Sequence, residues 1–225
     1  LHGMFSSVEY PQFAGTATPP DFVEYPSQFN EMWAHNPQVF ANYAKHYQTG
    51  EPMPKELVDK IFKASKYGEG FATLEYMEAA MMDMAWHEIG GGSGIGRAVS
   101  EAFVRQRARV FFLDIADEDS RQLERGLDGA EVPPRYHTPY FAHVFANQYA
   151  AGYYAYLWSD VLAKDTEHWM DTHGDLQRAN GDFLRAKILS RGFSRDPGEL
   201  FKEFYGRDPD VAPLLEARGL GGGEA

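Results

Sequence analysis

Apolar side chains recur every three or four residues along much of this chain, the spacing of helices that bury one face. Residues 27–47 show the pattern in two blocks with a break at Pro37, which predicts two short helices. Residues 57–68 predict another helix. The apolar stripe of residues 70–86 has few polar interruptions, so we predict a largely buried helix there. Four prolines between residues 6 and 26 favour an extended connection before the first of these helices.

The second half of the chain shows the same helical spacing. Residues 140–162 have the highest density of aromatic side chains and predict one long, mostly buried helix. Shorter helices are predicted at residues 181–190, 197–205 and 209–217. The expected fold class is therefore mainly α.

One stretch departs from the helical pattern. The segment Gly90 to Gly96 contains five glycines among seven residues and is followed by an amphipathic segment. Residues 109–114 then predict a buried strand. A glycine-rich turn, an amphipathic segment and a strand in this order are typical of an α/β structure. We therefore expect a small α/β-like insertion at residues 88–127 within the helical protein.

The glycine-rich segment resembles the first turn of a short-chain dehydrogenase. The resemblance implies that the glycines admit a pyrophosphate to a helix N-terminus and that Asp114 holds the ribose hydroxyls of NAD. Residues 82–89 form a poor first strand, however, and the chain has no Tyr-x-x-x-Lys pair. An NAD-dependent oxidoreductase fragment is therefore an alternative and not the main interpretation.

Composition narrows the function classes. The 225 residues are 44% hydrophobic and 15% aromatic, which is typical of a folded protein with one or two domains. The net charge of −12 argues against a nucleic-acid partner, and the absence of cysteine excludes disulfides and thiolate chemistry. No apolar run approaches the length of a membrane span, about 18 residues. We expect an acidic cytoplasmic protein that binds neither nucleic acid nor membrane.

Two carboxylates near the start of the first predicted helices are candidates for metal chemistry. Glu24 and Glu31 are seven residues apart, nearly two helical turns, so both can lie on one face. That arrangement suits a metal ligand and a residue that supports it, but also a solvated helix face. Asp21 and Glu24 also fit a capping box. The spacing alone leaves these alternatives open.

A group of aromatic residues is the second candidate site. Tyr149, Tyr153 and Tyr156 are spaced i, i+4 and i+7, which would direct their phenols from one helix face, with Tyr154 pointing elsewhere. His143 precedes them. Such a stripe is more often part of a core.

Several strings together resemble the C-terminal part of bacterial peptidyl-dipeptidases, zinc enzymes of the thimet oligopeptidase family. The resemblance covers about residues 1–87 and 128–220 and implies a helical catalytic-domain portion that hydrolyses oligopeptides and releases C-terminal dipeptides. The strings that carry it are Leu1-His2-Gly3-Met4-Phe5, Asp21-Phe22-Val23-Glu24-Tyr25-Pro26-Ser27-Gln28, Phe40-Ala41-Asn42-Tyr43-Ala44-Lys45-His46-Tyr47, Val132-Pro133-Pro134-Arg135-Tyr136 and Ile188-Leu189-Ser190-Arg191-Gly192.

The resemblance implies that Glu24 is the third zinc ligand and that Glu31 orients the site. In the family, a His-Glu-x-x-His helix about 25 residues earlier supplies the other two ligands and the general base. Counting back places that helix just before Leu1, so we expect that an upstream segment completes the site. The string His87-Glu88-Ile89-Gly90-Gly91 has Gly where a second imidazole is required, and we interpret it as chance.

The resemblance also gives the aromatic residues a role. His143, Tyr153 and Tyr156 would bind the tetrahedral intermediate and the substrate backbone, with Tyr149 as a weaker member. Between His143 and Tyr149 the family usually has a run of glycine, whereas this chain has residues 146–148, Ala-Asn-Gln, a stiffer segment that could displace His143.

We therefore expect residues 1–225 to form one helical metallopeptidase-like module, incomplete at its N-terminus and interrupted at 88–127. The isolated chain should bind zinc weakly and cleave no peptide. A further alternative is a non-enzymatic helical fragment that pairs with a separate N-terminal piece.

Overall fold

The computed structural model describes residues 2–88, 136, 141–145 and 148–220. Helices dominate these ranges, with one isolated antiparallel bridge between Lys45 and Pro52, and the mainly α class is confirmed. The helices are α1 (His2–Phe5), α2 (Pro20–Val23), α3 (Tyr25–His35), α4 (Pro37–Tyr43), α5 (Lys55–Ala64), α6 (Glu69–Glu88), α7 (Ala142–Phe145), α8 (Ala155–Thr172), α9 (Arg178–Lys187), α10 (Pro197–Tyr205) and α11 (Ala212–Ala217), with 3-10 turns at Pro11–Phe13 and Leu189–Arg191.

The break between α3 and α4 confirms the prediction at Pro37. Proline lacks an N–H and suits the first position of a helix, which is where Pro37 stands in α4. The Asn36 side chain caps the same helix by accepting a hydrogen bond from the Gln38 N–H at 3.0 Å. The predictions of α5, α9, α10 and α11 are confirmed in the same way, with shifts of a few residues at their ends.

The predicted extended connection over residues 6–26 is only partly present. Its prolines start short helical segments, because a proline at the first position of a helix loses no hydrogen bond. Pro11 begins a 3-10 turn, and Pro20 begins α2. The segments between them are irregular.

The prediction that α6 is largely buried is wrong. Its residues Phe71 and Leu74 are 50% and 48% exposed, and Met77 and Met84 are also exposed. Apolar residues lie on several sides of this helix, so packing along one side leaves the others uncovered by the described residues.

The predicted continuous helix over residues 140–162 is also wrong. Residues 142–145 form α7, α8 begins only at Ala155, and residues 148–154 form turns. Ala151 has φ of +52°, which a right-handed helix does not permit. The predicted α/β-like insertion, from residue 89 onward, and its strand at 109–114 lie outside the described residues.

The contacts divide the chain into two compact units. The first unit consists of Leu1–Glu69 and Tyr156–Ala225, and the second unit is Gly70–Ala155. The first unit has a core built from α2, α3, α8, α9 and α10. Its buried members are Phe22, Tyr25, Phe29, Met32, Leu162, Ala163, Trp169, Met170, Leu184, Ile188, Leu189, Leu200, Phe201 and Phe204. Among the described residues, no helix is both long and apolar enough to cross a membrane.

Tyr25 places a polar atom inside this core. Its hydroxyl forms a 2.7 Å hydrogen bond with the Thr166 hydroxyl, and burial raises the pKa of the phenol, which therefore stays protonated. We expect Tyr25→Phe to lower the free energy of unfolding by about 1 kcal/mol, the net value of one hydrogen bond, in urea denaturation. Tyr10→Phe, at an exposed ring, is the matched control and should change little. Equal losses in both variants would contradict a stabilising role for this bond.

Candidate functional site

Glu24 occupies a tight corner between two helices of the first unit. Helix α2 ends at Val23 and α3 begins at Tyr25, and Glu24 itself keeps right-handed helical angles, φ −85° and ψ −14°. The Ser27 hydroxyl lies 2.8 Å from the Glu24 carbonyl oxygen and 3.1 Å from its Oε2. The partly buried carboxylate is therefore held by a local hydrogen bond to its own helix.

The corner is fixed to α8 by two hydrogen bonds to backbone carbonyls. The Ser159 hydroxyl donates to the carbonyl of Asp21 at 3.0 Å, and the Gln28 side-chain amide donates to the carbonyl of Tyr156 at 3.0 Å. Together with the Tyr25 bond described above, they attach both helices that flank Glu24 to one long helix. A side chain mounted on such helices is placed more rigidly than one on a loop.

The capping-box interpretation of Asp21 and Glu24 is wrong. Pro19 is the N-cap of α2, and Asp21 lies within the first turn of that helix. Two consecutive prolines set the start of the helix, so the acid three residues before Glu24 is not at the capping position.

Glu31 and Tyr156 are the other first-unit residues that the sequence singled out. Glu31 lies on α3 with an exposed side chain. Because Glu24 has helical angles directly before α3, seven residues still correspond to nearly two turns between the carboxylates. Tyr156 lies in the first turn of α8, and its side chain is partly buried.

The second unit brings His143, Tyr149 and Tyr153 together in an aromatic cluster. The His143 ring centroid lies 6.1 Å from that of Tyr149 and 5.7 Å from that of Tyr153. The Phe141 ring packs edge-on against the Tyr153 ring with 4.9 Å between the centroids. The Tyr76 ring of α6 stacks on the Tyr153 ring at a centroid distance of 5.2 Å. The Tyr153 side chain is only 2% exposed, so its ring is fixed on several sides.

Helical spacing predicted that Tyr149, Tyr153 and Tyr156 share one helix face, and the structure does not support that prediction. Tyr149 and Tyr153 lie in turns before α8, so they do not share a helix face with Tyr156. His143 stands on the short helix α7, and ring contacts bring it to the tyrosines. Tertiary packing, and not helical spacing, forms the cluster.

Asp83 is the residue that sequence reasoning missed. It is completely buried on α6, and its carboxylate accepts hydrogen bonds from the backbone N–H groups of Ala151 at 2.9 Å and Tyr153 at 2.8 Å. An acid between Met82 and Met84 in an apolar stripe was a signal that could have identified it, because buried carboxylates require partners.

A complete metal site is not formed by the described residues. Across residues 2–88 and the described part of the second half, no group of three or more His, Asp or Glu side chains is arranged to hold a metal ion. Glu24 offers a carboxylate, which is a suitable zinc ligand, on a rigid corner. The described residues therefore fit the role of one ligand and not that of a whole zinc site.

Comparison with known proteins gives a consistent family match. The model of Peptidase family M3 matches residues 1–220. Dipeptidyl carboxypeptidase of Escherichia coli is 44% identical over 221 residues, which is 98% of this chain and 30% of that protein. Oligopeptidase A of Salmonella typhimurium is 36% identical over 99% of this chain and 30% of that protein, and saccharolysin of Saccharomyces cerevisiae is 28% identical over 98% and 29%.

The chain thus spans about 30% of the length of the curated relatives it matches. The family match also runs through residues 90–127, so the comparisons give no support to a dehydrogenase-like insertion there.

Proposed function

Since this chain belongs to Peptidase family M3, we propose that it forms part of the catalytic domain of a zinc peptidase that hydrolyses short peptides and releases C-terminal dipeptides. The observation that carries the proposal is the 44% identity, over 98% of this chain, to a protein named dipeptidyl carboxypeptidase. The bacterial relatives named oligopeptidase A are less similar, at 33–36%, which favours dipeptide release over cleavage at internal bonds.

Glu24 supplies one ligand to the zinc ion in this proposal. A bound zinc would supply Lewis acidity toward the carbonyl of the scissile bond. The bond from Ser27 to Oε2 holds the Glu24 carboxylate, and the bonds from Gln28 and Ser159 hold the corner that carries it. Glu31, two turns along α3, orients the site electrostatically.

The aromatic residues bind the substrate and the developing oxyanion. A phenol or imidazole donor fixed by packing stabilises negative charge in the transition state without reorganising. The Tyr153 ring meets this requirement, because Tyr76, Phe141 and His143 surround it. We assign a role of the same kind to His143 and to Tyr156, and a smaller one to Tyr149.

The proposed partners follow from the same family assignment. The substrates are oligopeptides, and neither nucleic acid nor membrane is a partner of this acidic protein. A segment that precedes residue 1 carries the His-Glu-x-x-His helix that completes the zinc site. We further propose that the chain acts as one module and works in the cytoplasm.

A chimera tests this function. This chain would replace the matching stretch of E. coli dipeptidyl carboxypeptidase, and mass spectrometry would follow the cleavage of a free peptide and of the same peptide with an amidated C-terminus. We expect successive C-terminal dipeptides from the free peptide and much slower cleavage of the amide. The isolated chain should release nothing.

Two outcomes would count against the proposal. A correctly folded chimera without peptidase activity would contradict the catalytic role of the chain. Internal cleavage at equal rates in both peptides would contradict dipeptide release and favour an oligopeptidase.

A further inference from the structure

The carboxylate of Asp83 joins α6 to the turn that carries two of the proposed site residues. Its Oδ1 accepts the Ala151 N–H at 2.9 Å and its Oδ2 accepts the Tyr153 N–H at 2.8 Å. These partners are 68 and 70 residues away in sequence, and all three lie in the second unit. Each carboxylate oxygen thus holds one end of a three-residue segment.

The segment between Tyr149 and Tyr153 needs such a support. Ala151 has φ of +52°, which residues with a Cβ rarely adopt. The Gly152 N–H donates to the Tyr149 carbonyl at 2.9 Å, so the chain closes a tight turn here. A helix would instead direct the Ala151 and Tyr153 amides to carbonyls four residues earlier. The Asp83 carboxylate accepts these two N–H groups in place of the carbonyls and so stabilises the turn instead of a helix.

His87 completes the arrangement one helical turn after Asp83. Its Nδ1 lies 2.9 Å from Asp83 Oδ1 and 2.8 Å from the Asp83 carbonyl oxygen. When Nδ1 carries the proton, it donates into this pair of oxygens. A completely buried carboxylate is stable only when such donors surround it. Asp83 receives two of them from backbone amides, and the imidazole adds a third in the tautomer that carries the proton on Nδ1.

We infer that Asp83 is a positioning residue of the proposed peptidase site, which fixes the turn of residues 149–153 and thereby the rings of Tyr149 and Tyr153. His87 supports Asp83 in this role. The kinetic consequence rests on the proposed function, whereas the fixing of the turn can be measured on this chain without any activity.

Asp83→Asn is the variant that tests the turn itself. An amide has one acceptor oxygen and one donor group, so one of the two backbone N–H groups loses its acceptor. We expect the amide hydrogen exchange of Ala151 and Tyr153 to become about 10-fold faster or more. The ring NMR signals of Tyr153 and Phe141, which are in edge-on contact, should shift as well.

Asp165→Asn is a matched control in the first unit. Asp165 is also completely buried, and its carboxylate binds the Arg207 guanidinium at 2.7 and 2.8 Å and the Asp210 N–H at 2.9 Å. Its replacement should lower the melting temperature but leave the Ala151 and Tyr153 signals unchanged. His87→Ala is the milder second variant if Asp83→Asn fails to fold, and it should change the same signals in the same direction.

The chimera gives the kinetic arm of the test. We expect Asp83→Asn to lower kcat by about 10- to 100-fold with little change in KM, the usual cost of removing a support behind a site residue. Asp165→Asn should leave kcat unchanged. Because Asp83 acts through Tyr153, adding Asp83→Asn to a Tyr153→Phe variant should cost much less than the sum of the two separate effects.

Two results would overturn the inference. If the two amides exchange at the wild-type rate and the rings do not shift, then Asp83 does not hold the turn. If the turn changes but kcat in an active chimera does not, then Asp83 is structural only. An inactive wild-type chimera would contradict the proposed function alone, because the amide and ring signals would still decide whether Asp83 positions the tyrosines.

Discussion

Replacing Glu24 with Gln in the chimera is expected to weaken zinc binding by about 100-fold or more, since a neutral amide is a poor substitute for a carboxylate ligand. Glutamine has nearly the same shape and keeps an oxygen that can accept the bond from Ser27, so the corner between α2 and α3 should persist. Zinc content after dialysis and a competition titration with a chelator would measure the loss. Peptide cleavage should fall in parallel, while the melting temperature of the zinc-free protein stays the same.

Two matched variants make the Glu24 result specific. Glu9→Gln removes one negative charge from an exposed position in the same unit and should leave zinc binding unchanged. Glu31→Gln should reduce turnover more than zinc affinity, because we propose that Glu31 orients the site and does not ligate the metal. If Glu24→Gln retains zinc as tightly as Glu9→Gln does, then Glu24 is not a ligand.

Tyr153→Phe and Tyr156→Phe are each expected to lower turnover in the chimera by about 100-fold or more, with little change in KM or melting temperature. Each variant removes one hydroxyl and keeps the ring. For Tyr153 the ring makes the packing contacts with Tyr76, Phe141 and His143. A donor that meets the oxyanion acts mainly in the transition state, so its loss appears in kcat.

The alternative for these tyrosines makes the opposite prediction. If they only fill a core, each substitution should cost about 1 kcal/mol of stability and leave turnover unchanged. Tyr154→Phe is the internal control, because that neighbouring side chain is 43% exposed and is given no role. Equal behaviour of all three variants would remove the tyrosines from the mechanism.

Patterns among residues close in sequence were sufficient to predict the positions of most of the helices. The break at Pro37 and the apolar spacing in α5, α9 and α10 depend on residues a few positions apart. These helices lie within a few residues of their predicted positions. The interruption before α8 depends instead on Asp83, whose carboxylate binds amides 68 and 70 residues later. No periodicity within residues 140–162 contains that information, so the aromatic stripe there was interpreted as a single helix.

The candidate site shows the same division between local and distant information. Spacing left Glu24 open as a capping-box residue, a solvated residue or a metal ligand. Pro19 precludes the capping box, and the resemblance is what favoured the ligand. His143, Tyr149 and Tyr153 do come together, but through ring contacts from separate turns and helices. The exposed apolar residues of α6 were missed because periodicity does not show which sides of a helix are covered.

The zinc content of the isolated chain and of the chimera, measured side by side after dialysis, decides whether this chain supplies one ligand to a zinc site that other residues complete. We propose that the chain contributes Glu24 as one ligand of a zinc site whose other ligands lie outside its described residues. The chimera should therefore retain about one zinc ion per molecule and the isolated chain almost none, since a single carboxylate does not hold zinc tightly. Stoichiometric zinc in the isolated chain, or a folded chimera without zinc, would contradict it.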